Sequence, residues 1–234
     1  MKPALALTCV LLLAACAPHR SVPDTKNDGS FNPLQFAKTD IDRVAETQQR
    51  EIFGNLRLLM EKLYRRNPRE LKKGGHLTIA AGVSRVFDGH HQWRFAELKG
   101  ARDAQAIQLA FRDDYHGDRV FAFVAGLASM MQTAFNNKTE FFITDDLDAQ
   151  ALYNAARNVE IAVWKLSNNR NTQGQLFLIS NEGSGPVHNL SYEREFGKII
   201  GSLDVLSRVV GDKNNRAIVK VVQTLASAVF LPIK

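Results

Sequence analysis

The sequence contains very little cysteine. Among its 234 residues the only cysteines are Cys9 and Cys16, so residues 17–234 carry no thiol. This absence excludes a disulfide, a thiolate nucleophile and a thiolate metal site from that part of the chain. The stability of the folded protein must therefore come from packing.

Long apolar runs are also missing. A helix needs about 18 or more apolar residues to span a bilayer. The apolar run at residues 4–13 is too short, and the run at residues 120–135 contains Ser129, Gln132 and Thr133. Neither run predicts a transmembrane helix. We interpret residues 120–135 as a buried central helix.

The sequence lacks the common catalytic motifs. It contains no G-x-S-x-G, H-E-x-x-H or phosphate-binding P-loop pattern. Ser184 lies between two glycines and precedes His188 by four residues, but Ser-Gly-Pro is a common turn sequence. We therefore predict no catalytic residue and no cofactor, and we leave an enzyme with an uncommon active site as a third function class.

Two groups of side chains have the chemistry of metal ligands. Both lie in predicted turns, and neither has an established ligand spacing, so we interpret them as solvated turns and predict no metal site. The two groups are Asp88, His90 and His91, and Asp113, Asp114, His116 and Asp118.

The first sixteen residues have the composition of a secretory signal. Lys2 precedes the apolar run, which ends in Leu13-Ala14-Ala15-Cys16. These four residues resemble the lipobox of bacterial lipoproteins. The resemblance implies cleavage before Cys16 and lipidation of that cysteine. We therefore predict a signal peptide at residues 1–15, a lipidated flexible tether at 16–32 and a helical domain at 33–234.

The same resemblance implies a location. In bacterial lipoproteins an aspartate directly after the lipidated cysteine commonly retains the protein at the inner membrane, whereas Ala17 follows Cys16 here. We expect the protein at the periplasmic face of the bacterial outer membrane, held there by its lipid anchor. The formal net charge of +6 mildly favours anionic partners. Nucleic acid is not an expected partner in the periplasm.

Apolar residues recur at helical spacing along most of the remaining chain. The pattern, together with acidic residues at the start of segments and Asn67-Pro68 at the end of the first, predicts a mostly α, multi-helix, bundle-like single domain. A short extended segment is predicted at residues 175–179. The predicted helices cover residues 39–66, 103–112, 120–135, 145–168, 191–210 and 215–230.

Residues 76–98 fit two structures. Ile79, Val83 and Val86 have helical spacing, which slightly favours a helix. Asp88-Gly89 is a hairpin dipeptide, and Trp93 alternates with Phe95, which would suit a small β-hairpin. The hairpin is kept as the alternative to a helix.

The strongest functional signal is a basic segment at residues 62–73. Cations there would reach an anionic membrane or envelope polymer, although cations at the end of a helix also complement its dipole. The leading hypothesis is a non-catalytic scaffold, assembly or regulatory partner in the envelope, and the alternative is a module that binds a small hydrophobic or lipid ligand between residues 121–135 and 218–230. The basic residues are Lys62, Arg65, Arg66, Arg69, Lys72 and Lys73.

Overall fold

The structure is a computed structural model that describes residues 38–181 and 190–233. This part of the chain has no β-strand, so the mostly α, bundle-like fold class is confirmed. The predicted signal peptide, tether and Cys16, and the Ser184 and His188 pair, lie outside it. The helices are α1 (Asp40–Arg66), α2 (Pro68–Lys73), α3 (Ile79–Phe87), α4 (Asp103–Leu109), α5 (Arg119–Ala134), α6 (Ala149–Asn168) and α7 (Ser191–Lys213), with 3-10 helices at Ala96–Leu98 and Leu225–Ser227.

Helix α1 begins and ends where the sequence predicts. The hydroxyl of Thr39 accepts a hydrogen bond from the Asp42 backbone N–H at 3.2 Å, and the Asp42 carboxylate accepts one from the Thr39 N–H at 2.7 Å. This reciprocal capping box satisfies two backbone donors that a helix start leaves unpaired. Pro68 then begins α2, a helix of six residues that is too short to show an apolar period in the sequence.

Helix α5 forms the centre of the core, as predicted for residues 120–135. Every residue of α5 except Thr133 is buried, and the helix packs against α1, α4 and α6. Gly126 lets α4 approach closely, because a Cβ atom at this position would lie 2.7 Å from the Ile107 backbone nitrogen. In the described ranges, none of the helices is both long enough and apolar enough to cross a bilayer.

Three helices differ from their predicted bounds by three residues or more. Helix α4 ends at Leu109, and α7 continues to Lys213. Helix α6 begins at Ala149 because Asp148 is its N-cap and accepts the Gln150 N–H, while Asp145 accepts the Phe142 N–H in the turn before it. The predicted extended segment at residues 175–179 is reduced to one isolated bridge between Arg170 and Leu176.

Residues 76–98 form a helix followed by turns, so the preferred interpretation is confirmed and the hairpin alternative is wrong. Asp88 ends α3 instead of starting a hairpin, because its carboxylate accepts bonds from the Ser84 hydroxyl and the Arg57 guanidinium. Trp93 has φ of 58°, which is not an extended conformation.

The predicted helix at residues 215–230 is wrong. The chain there is irregular apart from one 3-10 turn, and it lies along α6. The Gln150 side chain accepts the Val219 N–H at 2.8 Å, and the Asn158 side chain bonds both the N–H and the carbonyl of Leu231. Amides on α6 therefore bond the backbone at Val219, within the predicted helix, and at Leu231, directly after it. The three valines at 219, 221 and 222 are β-branched, which also disfavours a helix.

Candidate functional site

The basic segment borders a cleft of about 990 Å³. One wall is the junction between α1 and α2, and the other is the turn at residues 170–177 that follows α6. Five cations line the cleft together with two acids, Glu70 and Asp113, so its lining is positively charged. The five cations are Arg66, Arg69, Lys73, Arg119 and Arg170.

The cleft contains three of the six predicted basic residues. These are Arg66, Arg69 and Lys73, whereas Arg65 and Lys72 are exposed and do not line it. Arg65 lies 3.6 Å from Glu61 on the same helix. The structure therefore divides the basic segment into cations that face the cleft and cations that face elsewhere.

Lys62, the sixth predicted residue, faces α7. Its Nζ donates to the Ser191 carbonyl at 2.8 Å and lies 4.8 Å from the centre of the Tyr192 ring. The Tyr192 hydroxyl donates back to the Lys62 carbonyl at 2.8 Å. Burial lowers the pKa of Lys62. Lys62 thus holds α7 against α1 and does not line the cleft.

Side-chain amides and carboxylates fasten the second wall to the first. The Asn67 side chain donates to the Ile179 carbonyl and accepts the Ile179 N–H, both at 2.8 Å. Asp113 accepts the Thr172 N–H at 3.2 Å. Within the turn, Asn171 accepts the N–H groups of Gln173 and Gln175. The Arg170 guanidinium also donates to the Gly174 carbonyl at 2.9 Å, so one of the cations that line the cleft helps to hold this wall.

Arg119 lies between the walls and acts as a clamp. Its guanidinium donates to the carbonyls of Ala110 and Arg112 at 2.8 Å and of Tyr115 at 2.7 Å. It also lies 4.7 Å from the centre of the Phe177 ring, which is an attractive cation–π distance. Burial lowers the pKa of Arg119. Its hydrogen-bonding groups serve the fold, so its contribution to a ligand would be charge.

Two carboxylates pack at the start of α5 beneath the cleft. Asp118 accepts the Phe121 N–H at 2.9 Å and the Tyr64 hydroxyl at 2.7 Å. Burial raises the pKa of Asp118 to about 6. Glu70 accepts the Arg119 N–H at 2.7 Å and pairs with Lys73 at 2.6 Å. Lys73 is thus partly neutralised by Glu70.

The two predicted groups of metal-type side chains do not assemble. No cluster of three or more possible metal ligands occurs within residues 38–181 and 190–233. Asp114 pairs with Arg112, and Asp118 caps α5. His91 Nδ1 accepts the Trp93 N–H at 2.9 Å, so its Nε2 carries the proton that is shared with the Val86 carbonyl at 2.8 Å.

Arg170 and the turn that carries it were not predicted from the sequence as part of the site. The only local signal was the run Asn168-Asn169-Arg170-Asn171, whose asparagines favour a turn after a helix. No local pattern shows that this turn meets residues 66–73. The pairing depends on Asn67 and Ile179, which are 112 residues apart in sequence.

Cations on facing walls, with backbone and amide groups between them, can bind an anion from two sides through charge and hydrogen bonds. Comparison with protein-family models, with curated proteins and with solved structures gives no match.

Proposed function

We propose that the protein is a lipid-anchored lipoprotein of the bacterial outer membrane that faces the periplasm and acts as a non-catalytic scaffold, assembly or regulatory partner. Its anchor is Cys16, and its contact surface is the basic cleft. The partner is an acidic envelope polymer that enters the cleft as a chain.

One observation carries the proposed contact: cations from distant parts of the chain face one another across a single cleft. Arg66 and Arg69 lie on one wall and Arg170 on the other. Arg69 and Arg170 are exposed, so an anion in the cleft can reach both. A flat lipid surface would meet one rim at a time, whereas a polymer chain fits between the walls. This shape favours the polymer.

The test compares two double charge reversals in the full chain. Arg69→Glu with Arg170→Glu changes cations of both walls, and Arg65→Glu with Lys72→Glu makes the same charge change outside the cleft. We expect the cleft variant to bind the acidic polysaccharide heparin at least about tenfold more weakly, since each lost cation near an anionic surface removes about 1 kcal/mol. The control variant should lose far less.

Salt and vesicles complete this test. Raising ionic strength should weaken heparin binding, because exposed charges are screened over about 8–10 Å near physiological salt. Equal losses in the two variants would show that general charge, not the cleft, binds the polymer. Binding of the wild-type chain to vesicles of anionic phosphatidylglycerol but not to heparin would assign the surface to the membrane instead.

The anchor has its own test. Mass spectrometry of the membrane fraction should show an acylated peptide that begins at Cys16. Cys16→Ser should abolish processing at that bond and acylation of residue 16. Continued processing and membrane attachment of this variant would contradict the lipoprotein assignment.

A second candidate function is the binding of a small hydrophobic or lipid ligand. The groove that favours it does not lie between residues 121–135 and 218–230, where the sequence predicted the ligand. Residues 121–134 lie in the helix at the centre of the core, and residues 218–230 form no α-helix. An aromatic-walled groove on α1 instead has a volume of about 560 Å³, within the range of small-molecule sites.

A further inference from the structure

The groove on α1 is walled by three aromatic side chains, Phe53, Phe87 and Trp93. The rings of Phe53 and Trp93 are 5.5 Å apart between centroids and tilted by 43°. All three side chains are only partly buried, so their remaining surface faces the groove. The walls therefore offer apolar surface to a ligand.

Gly54 leaves the floor of this groove open. Four lining residues lie on one face of α1, because three of them follow Arg50 by three, four and seven residues. They are Arg50, Phe53, Gly54 and Arg57. No atom lies within 4 Å of the position that a Cβ of residue 54 would occupy. A ligand can therefore approach the helix backbone between the aromatic walls.

The Trp93 wall is held by an unusual backbone. Gln92 and Trp93 have φ values of 49° and 58°, a left-handed conformation that bulky residues rarely adopt. The Trp93 N–H is fixed by His91 Nδ1 at 2.9 Å, and the His91 ring is fixed by the Val86 carbonyl. These contacts fix the position of the Trp93 ring at the groove. This observation is independent of the shape of the groove.

The charges at the groove specify one anionic group. Arg57 is engaged by Asp88 through two bonds of 2.6 and 2.8 Å. Arg50 is exposed, and the one hydrogen bond recorded for its side chain in the described residues goes to the Thr47 hydroxyl at 3.0 Å. Glu140 also lines the groove and repels negative charge, so an anionic group is favoured only at Arg50. Arg50 interacts electrostatically with Glu46, one turn before it. Its recorded hydrogen bond in the described residues is to a neutral hydroxyl and not to a carboxylate, so it is the cation available to a ligand.

We propose that this groove binds a single acyl chain with one anionic head group, as in a fatty acid. The chain lies over Gly54 between Phe53, Phe87 and Trp93, and the carboxylate pairs with Arg50. Arg50 and Arg57 are about 10 Å apart along the helix axis, so the groove covers part of an extended acyl chain. The proposal deepens the second candidate function and does not depend on the basic cleft.

Dodecanoate, used below the concentration at which it forms micelles, tests this site in the full chain. The variant Trp164→Phe leaves Trp93 as the only tryptophan, since the sequence has two. We expect dodecanoate to shift Trp93 emission in a saturable manner. Gly54→Leu should abolish the shift by filling the floor. Gly201→Leu is the matched control, because Gly201 is also an exposed helical glycine with no atom within 4 Å of its Cβ position.

Both leucine variants should be at least as stable as the parent, because leucine is a better helix former than glycine. A lost signal in Gly54→Leu then reports the site and not unfolding. Unchanged dodecanoate binding by Gly54→Leu, or equal loss in both variants, would overturn the proposal. The cleft variant Arg69→Glu with Arg170→Glu should bind dodecanoate normally, so this outcome is separable from that of the heparin test.

The head group is tested with Arg50→Gln. This variant should bind dodecanoate about tenfold more weakly, as expected for one charged hydrogen bond, and should bind neutral dodecanol as the parent does. Equal weakening for both ligands, or for neither, would show that Arg50 does not recognise the carboxylate.

Discussion

The basic cleft and the aromatic groove both use α1, yet they are held open in different ways. Asn67 and Asp113 fix the second wall of the cleft through hydrogen bonds to distant backbone groups, and Arg119 contacts the Phe177 ring of that wall. The groove is walled by the rings of Phe53 on α1, Phe87 on α3 and Trp93 in the turn after α3. The backbone of Trp93 has a left-handed conformation. One helix can thus carry a charged surface and an apolar surface, each with its own means of preorganisation.

This difference predicts different sensitivities. Removal of a single polar clamp should loosen the cleft, since Asn67 and Asp113 hold the backbone of the second wall and Arg119 satisfies buried and partly buried carbonyls. The groove should tolerate such changes and respond instead to changes in ring packing or backbone conformation. The following predictions test this contrast.

The largest expected effect is that of Arg119→Met. The change leaves the carbonyls of Ala110, Arg112 and Tyr115 without their donor, so the free energy of unfolding should fall by about 2–4 kcal/mol in urea denaturation. Arg69→Met, which removes an exposed cation from the same cleft, should change it by less than about 0.5 kcal/mol. Equal effects would show that Arg119 is not a clamp.

The next effect is a pH dependence beneath the cleft. The pKa of Asp118 is raised from 3.8 to about 6 in the folded protein, so the native state holds this proton more tightly than the unfolded state. The contribution of Asp118 to the unfolding free energy should therefore be greatest below about pH 4 and should decrease by about 1–3 kcal/mol as the pH rises to 6. Stability curves of the parent and Asp118→Asn should diverge over this window.

Glu195 provides a control of opposite sign. Lys198 and then Arg194 bond its carboxylate and lower its pKa, so its stabilising contribution is present above about pH 4.5 and is lost as the pH falls. The parent should lose the stabilising contribution of Glu195 as the pH falls below about 4.5, and Glu195→Gln should not show this loss. The parent should lose the contribution of Asp118 as the pH rises from about 4 to 6, and Asp118→Asn should not show that loss. If the two variants altered the curve in the same direction, the burial argument for Asp118 would be wrong.

The smallest effect concerns the groove. Gln92→Gly removes a Cβ from a left-handed position, which should stabilise the folded state by about 1–2 kcal/mol. The glycine also raises the conformational entropy of the unfolded chain, which should lower the free energy of unfolding by about 0.4–1 kcal/mol. We expect a net gain of up to about 1 kcal/mol in thermal unfolding. Lys99→Gly, at φ of 52° outside the groove, should give a similar gain, and only Gln92→Gly should weaken dodecanoate binding. Equal dodecanoate affinity in the two variants would show that the left-handed turn at Gln92 does not contribute to binding.

The elements predicted correctly are those whose signals are local. Thr39 and Asp42 set the start of α1, Pro68 marks its end, and the apolar run identified α5 as buried. The residues 215–230 also have helical spacing, but amides of α6 bond the Val219 backbone within them and the backbone of residues 231 and 232 just after them. That competition is non-local, so no window of the sequence could show it.

The site was predictable to a similar extent. The charge pattern identified Arg66, Arg69 and Lys73, since cations cluster there in the sequence. It also included Lys62, whose contact with α7 depends on packing between distant helices. The facing wall with Arg170 was missed for the same reason, because a short polar turn gives no sign of what it packs against.

Three amide side chains in a row along α6 limit which sequence changes this protein can accept. Gln150, Asn154 and Asn158 contact main-chain atoms of residues 219, 231 and 232, so they recognise the path of the C-terminal segment and not its side chains. Val222, which is 96% exposed, is free to change. A saturation mutagenesis screen for folded protein should therefore find three intolerant polar positions on α6 and a permissive stretch at residues 220–222, a region suited to the insertion of epitopes or reporter peptides. Ile218, Ala228 and Phe230, whose side chains are buried or packed against the core, should tolerate less.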